Sequence, residues 1–258
     1  MRRVVGGPLV LLLLAPALWA LDDTKAPKKP DTPSKAQGKS PAEQYRMIDN
    51  ECQESFQAYQ KATPEERKKL PLPRPWQYAA RMLELAEKHP KDPAAVDALV
   101  WAVHQGGSSP EAKKALDLLV RDHLDSKQLG FVCQSLRYSY FDVEQTLRTI
   151  LEKSPHKEVQ AQACFILAQY LKDKARRSMA STAEAEKLFE RVANEYPNVE
   201  LYPGRTLAAS AKVELFELQQ LAIGKMAPEI EGEDVDGNPF KLSDYRGKVV
   251  LLDFWGNW

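Results

Sequence analysis

The chain has 258 residues, 43% hydrophobic and 28% charged, with 36 Lys+Arg set against 36 Asp+Glu. That balance leaves no global field to draw nucleic acid or an anionic membrane, and the apolar fraction suffices for one large or two ordinary globular domains. Four His without zinc-ligand spacing and three isolated Cys argue against a metal centre, so no metal or cofactor is expected.

The amino terminus places Arg2 and Arg3 before an apolar run, Val4 to Leu14, followed by Ala15, Pro16, Ala17 and Ala20. A basic start, an apolar core and small residues before a polar stretch predict a signal peptide over 1–20, cleaved after Ala20. The alternative is a retained anchor, but Pro8 and Pro16 interrupt a stretch at the lower edge of spanning length. Export is therefore expected, to the periplasm or another extracytoplasmic space, with membrane contact only through this segment. Residues 21–40, rich in Lys, Pro, Asp, Ser and Thr, have little to bury and predict a disordered linker.

From Pro41 to Leu221 the apolar spacing is helical. Trp76, Ala79, Ala80, Leu83 and Ala86 form one stripe, and Asp92-Pro93 opens another helix carrying Ala95, Leu99, Ala102 and Val103. Ser109-Pro110 opens a third, with Ala112, Ala115, Leu116, Leu119 and Val120. Val159, Ala163, Ile166, Leu167, Tyr170 and Leu171 make a fourth stripe. Glu184 to Tyr196 makes a fifth, started by a Ser181/Glu184 capping box and ended by Pro197.

Leu85 to Pro90, Ile150 to Pro155 and Val192 to Pro197 end helices in one style, an apolar stripe running into charge and then Pro. This predicts a helical domain over 41–221, either a degenerate array of hairpins like tetratricopeptide repeats or an ordinary bundle with short loops. Such a region offers a surface to a protein partner. The aromatics Trp76, Trp101, Tyr138, Tyr140 and Phe141 are read as core and not as groove lining. Cys52, Cys133 and Cys164 are read as buried free thiols ahead of a disulfide, and His89, His104, His123 and His156 receive no chemistry.

After Leu221 the pattern changes. Ile230 and Val235 precede an Asp236-Gly237-Asn238 turn, with Phe240 and Leu242 beyond it, which predicts a hairpin. Ser243 is read as the cap of a short turn through Tyr245, ended by Gly247. The run Val249-Val250-Leu251-Leu252-Asp253-Phe254 lacks alternation and predicts a strand buried on both faces.

Taken in order, Gly224 to Pro228, Asp236-Gly237, Leu242 to Val250 and Asp253 to Trp258 resemble the opening of a redoxin domain. The similarity is to the TlpA/ResA-like thiol–disulfide oxidoreductases of the thioredoxin superfamily. It covers only residues 222–258, and no catalytic cysteine lies in the chain: the family pattern implies a C-x-x-C pair just after Trp258.

The fold class implied is mainly α, followed by the truncated start of an α/β thioredoxin-like domain. The resemblance assigns Asp253 as a buried acid serving the resolving cysteine, against a plain strand-end Asp bonded to backbone. Trp255 and Trp258 become packing flanks of the active site. Protein disulfides or thioredoxin-type proteins are the implied redox partners, and this 258-residue chain is expected to be inactive by itself. Peroxiredoxins share the opening motif, but Trp255-Gly256-Asn257-Trp258 departs from their peroxidatic loop. A different class of reading is a helical interaction module whose redoxin-like tail carries no chemistry.

Overall fold

The computed structural model describes residues 38–137, 139 and 141–253. The signal and linker expectations for residues 1–37, and Tyr138, Tyr140, Phe254, Trp255 and Trp258, lie outside the described residues. Among the described residues the protein is mainly helical, with ten α-helices and two short two-stranded hairpins.

The first half is punctuated by caps. Helices α1 (Pro41–Lys61), α2 (Pro64–Arg67), α3 (Trp76–Lys88), α4 (Pro93–Gln105) and α5 (Pro110–Asp122) follow in turn. Four of these five begin with Ser, Thr or Asp at the cap and Pro in the first turn, where its missing N–H costs nothing. Asp92 accepts from the Ala94 N–H at 2.9 Å and Ser109 from the Ala112 N–H at 3.1 Å, both as expected. The Gly106 that links α4 to α5 sits where three helices crowd. A Cβ there would stand 2.3 Å from the Ala102 carbonyl oxygen and 2.8 Å from the Ala112 Cβ.

The second half contains α6 (Leu129–Leu136), α7 (Glu144–Lys153), α8 (Lys157–Ser178), α9 (Ala183–Glu195) and α10 (Leu207–Gln220). Between the last two helices lies a hairpin of β1 (Glu200–Tyr202) and β2 (Arg205–Thr206), turned by Gly204 at φ 83°. Helices α3, α7 and α9 each stop two residues before a Pro, and each cap residue donates its N–H back to the last full turn. The ring of each Pro disfavours helical geometry at the residue before it, which explains the shared style of ending. Sequence neighbours pack on one another: α3 on α4, α4 on α5, α7 on α8, α8 on α9 and α9 on α10, while α6 also leans on α8.

One core runs through these helices, with Met82, Leu116, Leu147, Leu167, Phe189 and Leu207 fully buried in it. The helix α8 is buried nearly all round its middle, from Ala161 to Gln169. Its predicted stripe therefore describes only part of what it covers, because neighbours pack on several sides of it. Polar ties fix the amino-terminal helices to this core. The Trp101 indole donates to Asp49 at 2.8 Å, joining α4 to α1, and Arg81 on α3 pairs with Glu51 on α1.

Several local expectations are corrected. Trp76 and Ala80 face solvent, and Met82 and Leu85 take the buried positions of α3. Trp76, 49% exposed, is therefore not core, whereas Trp101 is buried and Phe141 packs against the core. The Ser181/Glu184 box does not form. Thr182 occupies the cap position without a side-chain cap bond, and Glu184 pairs across to Arg148 at 2.7 Å. A tertiary ion pair has taken the carboxylate that the local motif required.

Beyond α10, β3 (Glu231–Glu233) and β4 (Pro239–Lys241) form the predicted hairpin, with Glu231 opposite Lys241. Val235 lies in its loop and not in a strand, fully exposed. Asp234 organises that loop, accepting from the N–H groups of Asp236 at 2.9 Å and Asn238 at 2.8 Å, while Gly237 supplies a φ of 81°. A 3-10 turn over Leu242–Tyr245 follows. Its cap is Lys241, whose N–H donates to Asp244 at 2.9 Å, and not Ser243, whose N–H donates to Glu229.

The expected buried strand over Val249–Phe254 is not formed as far as Asp253. Residues 249–253 are non-regular and exposed, with Val249 and Leu251 almost fully so. The reason is pairing. A strand buried on both faces needs neighbours, and among the described residues β3 and β4 bond only to each other.

Candidate functional site

The segment after α10 is built from its own contacts. Lys225 donates to the Ala222 carbonyl at 3.0 Å across the Gly224 turn, and the Leu242 N–H extends the hairpin ladder to Ile230 at 2.9 Å. The Lys241 ammonium meets Glu231 at 2.6 Å across the strands, and the Phe240 ring lies over Gly232. Glu229 is held below the ordinary carboxylate range by its hydrogen bonds from Ser243. None of the described residues from 223 onward is buried.

Asp253, the sequence-expected acid, is exposed in this setting. The apolar enclosure that its expected role needs is therefore not found around it. Trp255 and Trp258 lie outside the described residues, so the three expected site residues are not seen brought together.

The three cysteines are all buried and free. Burial pushes the Cys133 and Cys164 thiols up to about 12, so at neutral pH each is a thiol and not the thiolate that attacks a disulfide. Burial, with Asp49 nearby, also raises Cys52. Cys164 donates weakly to the Leu188 carbonyl at 3.5 Å, a packing role between α8 and α9. Among the described residues no group of three His, Cys, Asp or Glu is arranged to hold a metal, and no helix is long and apolar enough to cross a membrane.

A second polar centre lies between α8 and α10 and was not legible in the sequence. Lys172, 6% exposed, reaches Glu214 at 2.5 Å and Glu217 at 2.9 Å, and the Gln169 amide donates to the other oxygen of Glu214 at 2.7 Å. Burial works against the charges of Lys172 and Glu214, yet their mutual hydrogen bonds outweigh it. The ammonium is held above its ordinary range and the Glu214 carboxyl below its own. Beside this network Arg205 on β2 donates to Ser210 at 2.9 Å. Arg137 just after α6, Gln169 on α8, Tyr202 on β1 and Arg205 on β2 thus border one cleft.

Comparison with known proteins finds short stretches only. The chain is 45% identical over 42 residues to the thiol-disulfide oxidoreductase ResA of Geobacillus thermodenitrificans, a match covering 16% of this chain and 24% of that protein. It is 48% identical over 42 residues to ResA of Geobacillus kaustophilus, with the same coverage. Against ResA of Bacillus subtilis it is 42% identical over 40 residues, 16% of this chain and 22% of that protein. The chain thus spans about a quarter of the length of the curated relatives it matches. No family model matches the chain, and no solved structure matches it. What the matches show is similarity to ResA proteins over a short stretch of an otherwise helical chain.

Proposed function

We propose that this chain belongs to an exported thiol–disulfide oxidoreductase, with a TPR-like helical region preceding a redoxin domain whose cysteine pair follows Trp258. The observation that carries the reading is the ordered motif set from Gly224 to Trp258, together with 42–48% identity to ResA proteins over 40–42 residues. The buried thiols point the same way: Cys133 and Cys164 are too basic and too enclosed to be the nucleophile.

The chemistry needs two thiols. A first thiolate attacks one sulfur of a substrate disulfide, forming a mixed disulfide and releasing the other sulfur as a thiolate. The second thiol, deprotonated, attacks the mixed disulfide, so the substrate leaves as a dithiol and the enzyme pair becomes a disulfide. Two electrons pass to the substrate, and the departing thiolates take up two protons. A helix beginning after the Trp255 to Trp258 loop would lower the first thiol's pKa through its N-terminal N–H groups. Asp253 would serve the second as proton acceptor once the sheet encloses it.

The test is insulin-disulfide reduction by the complete protein, with each cysteine after Trp258 changed to Ser in turn. Turnover lost in both variants supports the reading. A coding sequence with no cysteine pair after Trp258, or turnover that survives both changes, sinks it. The peroxide-reducing alternative predicts that a single cysteine suffices for peroxide consumption.

A further inference from the structure

A cleft of about 600 Å³ opens where α6, α8, the β1–β2 hairpin and α10 meet, within the volume range of ligand sites. We propose that it binds an extended peptide segment in which an apolar side chain stands beside a carboxylate. The inference does not depend on the redox reading, since it rests on the helical region alone.

The floor is apolar and rigid. Phe165 and Ile166, each 3% exposed, form it, and Phe165 is braced edge-on by Phe189 at 5.8 Å. The lining is cationic on balance. Arg137 and Arg205 border the cleft, while Glu214, the only lining carboxylate among the described residues, has both oxygens engaged by Lys172 and Gln169. Arg205 spends only its Nε on Ser210, which leaves its terminal nitrogens, a fork suited to a carboxylate, without a protein acceptor among the described residues.

Gln169 supplies the third signal. Its amide nitrogen is committed to Glu214, and its buried carbonyl oxygen has no donor among the described residues. Such an orphan acceptor is costly, and since it is closed to solvent as it stands, a rotation of the Gln169 side chain toward the cleft is what would let a peptide N–H relieve it.

The mouth argues for a chain and not a small acid. Tyr202 and Val213 stand 54% and 57% exposed at its lip, and Phe216, three residues after Val213 on α10, continues the apolar surface at 50%. A lone carboxylate compound would leave that strip uncovered, whereas successive residues of an extended peptide would cover it.

The test is fluorescence anisotropy with the 258-residue chain and a fluorescein-labelled, carboxyl-amidated peptide of sequence Ser-Gly-Leu-Phe-Asp-Asp-Gly. Two matched probes carry Asn for both Asp, or Ser for Leu and Phe. Saturable binding is expected, weakened roughly tenfold in each matched probe. Arg205→Gln and Val213→Glu should each weaken it about fivefold or more with unchanged circular dichroism. Val213 is exposed, so its variant keeps the test valid should the loss of the Ser210 bond disturb the hairpin. Absence of saturation up to about 1 mM, equal binding of the Asn probe, or wild-type affinity in both variants would overturn the proposal.

Discussion

Two regions of this chain read alike in apolar content and fold quite differently. The helical region from α1 to α10 buries whole helix faces, and α8 is enclosed on several sides. The segment after residue 222 carries Val249, Val250, Leu251 and Leu252 in one run, yet buries none of its described residues. The difference lies in who satisfies the backbone. A helix bonds within itself and needs only a neighbour for its apolar face, whereas an interior strand needs partners on both edges before its side chains have anything to cover. Apolar content therefore translates directly into a core in the first region and only conditionally in the second.

The sharpest way to break that contrast is in the helical core. Phe189→Ala removes a fully buried ring that meets Phe165 at 5.8 Å, and a loss of about 3–5 kcal/mol is expected in urea unfolding. Next comes Lys172→Ala. It strips the cation from a buried network and leaves Glu214 enclosed without its main partner, at a cost of roughly 3 kcal/mol. The double variant Lys172→Ala with Glu214→Gln should recover part of that loss. A double variant no better than the single one would show that the network works through packing alone.

The same pair sets an acid limb. The Glu214 carboxyl is held below its ordinary value of 4.5, hydrogen bonds from Lys172 and Gln169 outweighing its burial. With the folded value the lower one, its contribution is complete above pH 4.5 and fades as pH falls through the folded value. Stability followed by denaturant titration should therefore decline below pH 4.5, and Lys172→Met should flatten that part of the decline. An unchanged slope in the variant would remove Glu214 as its source.

Gly106→Ala is expected to cost less, about 1–3 kcal/mol. The new methyl would stand 2.8 Å from the Ala112 Cβ and 3.2 Å from the Ala79 Cβ, so α3, α4 and α5 would have to part. A Tm equal to that of the parent would mean that these helices are not held as tightly as their contacts imply.

How much of this was legible follows the same division between local and distant causes. The starts of α4 and α5 were readable because Asp92-Pro93 and Ser109-Pro110 act within one turn. The failed Ser181/Glu184 box looked equally good, but Arg148, far off in sequence, claims the carboxylate. The rotation of α3 that exposes Trp76 is of the same kind, since only its packing against α1, α4 and α5 selects the buried face. The small β1–β2 hairpin carried a local sign, Pro203-Gly204, that the helical reading passed over. The cleft carried none, because Arg137, Gln169, Tyr202 and Arg205 meet only after four elements have packed. For the redoxin-like segment the motif order was legible. Asp253 was read as a buried acid and stands exposed, because enclosure depends on strand partners and not on the residues around it.

The smallest expected effect is the most discriminating for the comparison. Val249→Ser and Leu251→Ser replace apolar side chains that are 103% and 92% exposed. Each should change unfolding stability by no more than about 0.5 kcal/mol, and amides of residues 249–253 should exchange at nearly unprotected rates while those of α8 exchange only on global unfolding. The identical substitutions in a longer chain able to complete the sheet should cost several times more, since the same side chains would then leave a two-sided core. A loss above about 1 kcal/mol in the 258-residue chain would mean that this run already packs against something. The division between a self-sufficient helical region and a conditional strand region would then fall.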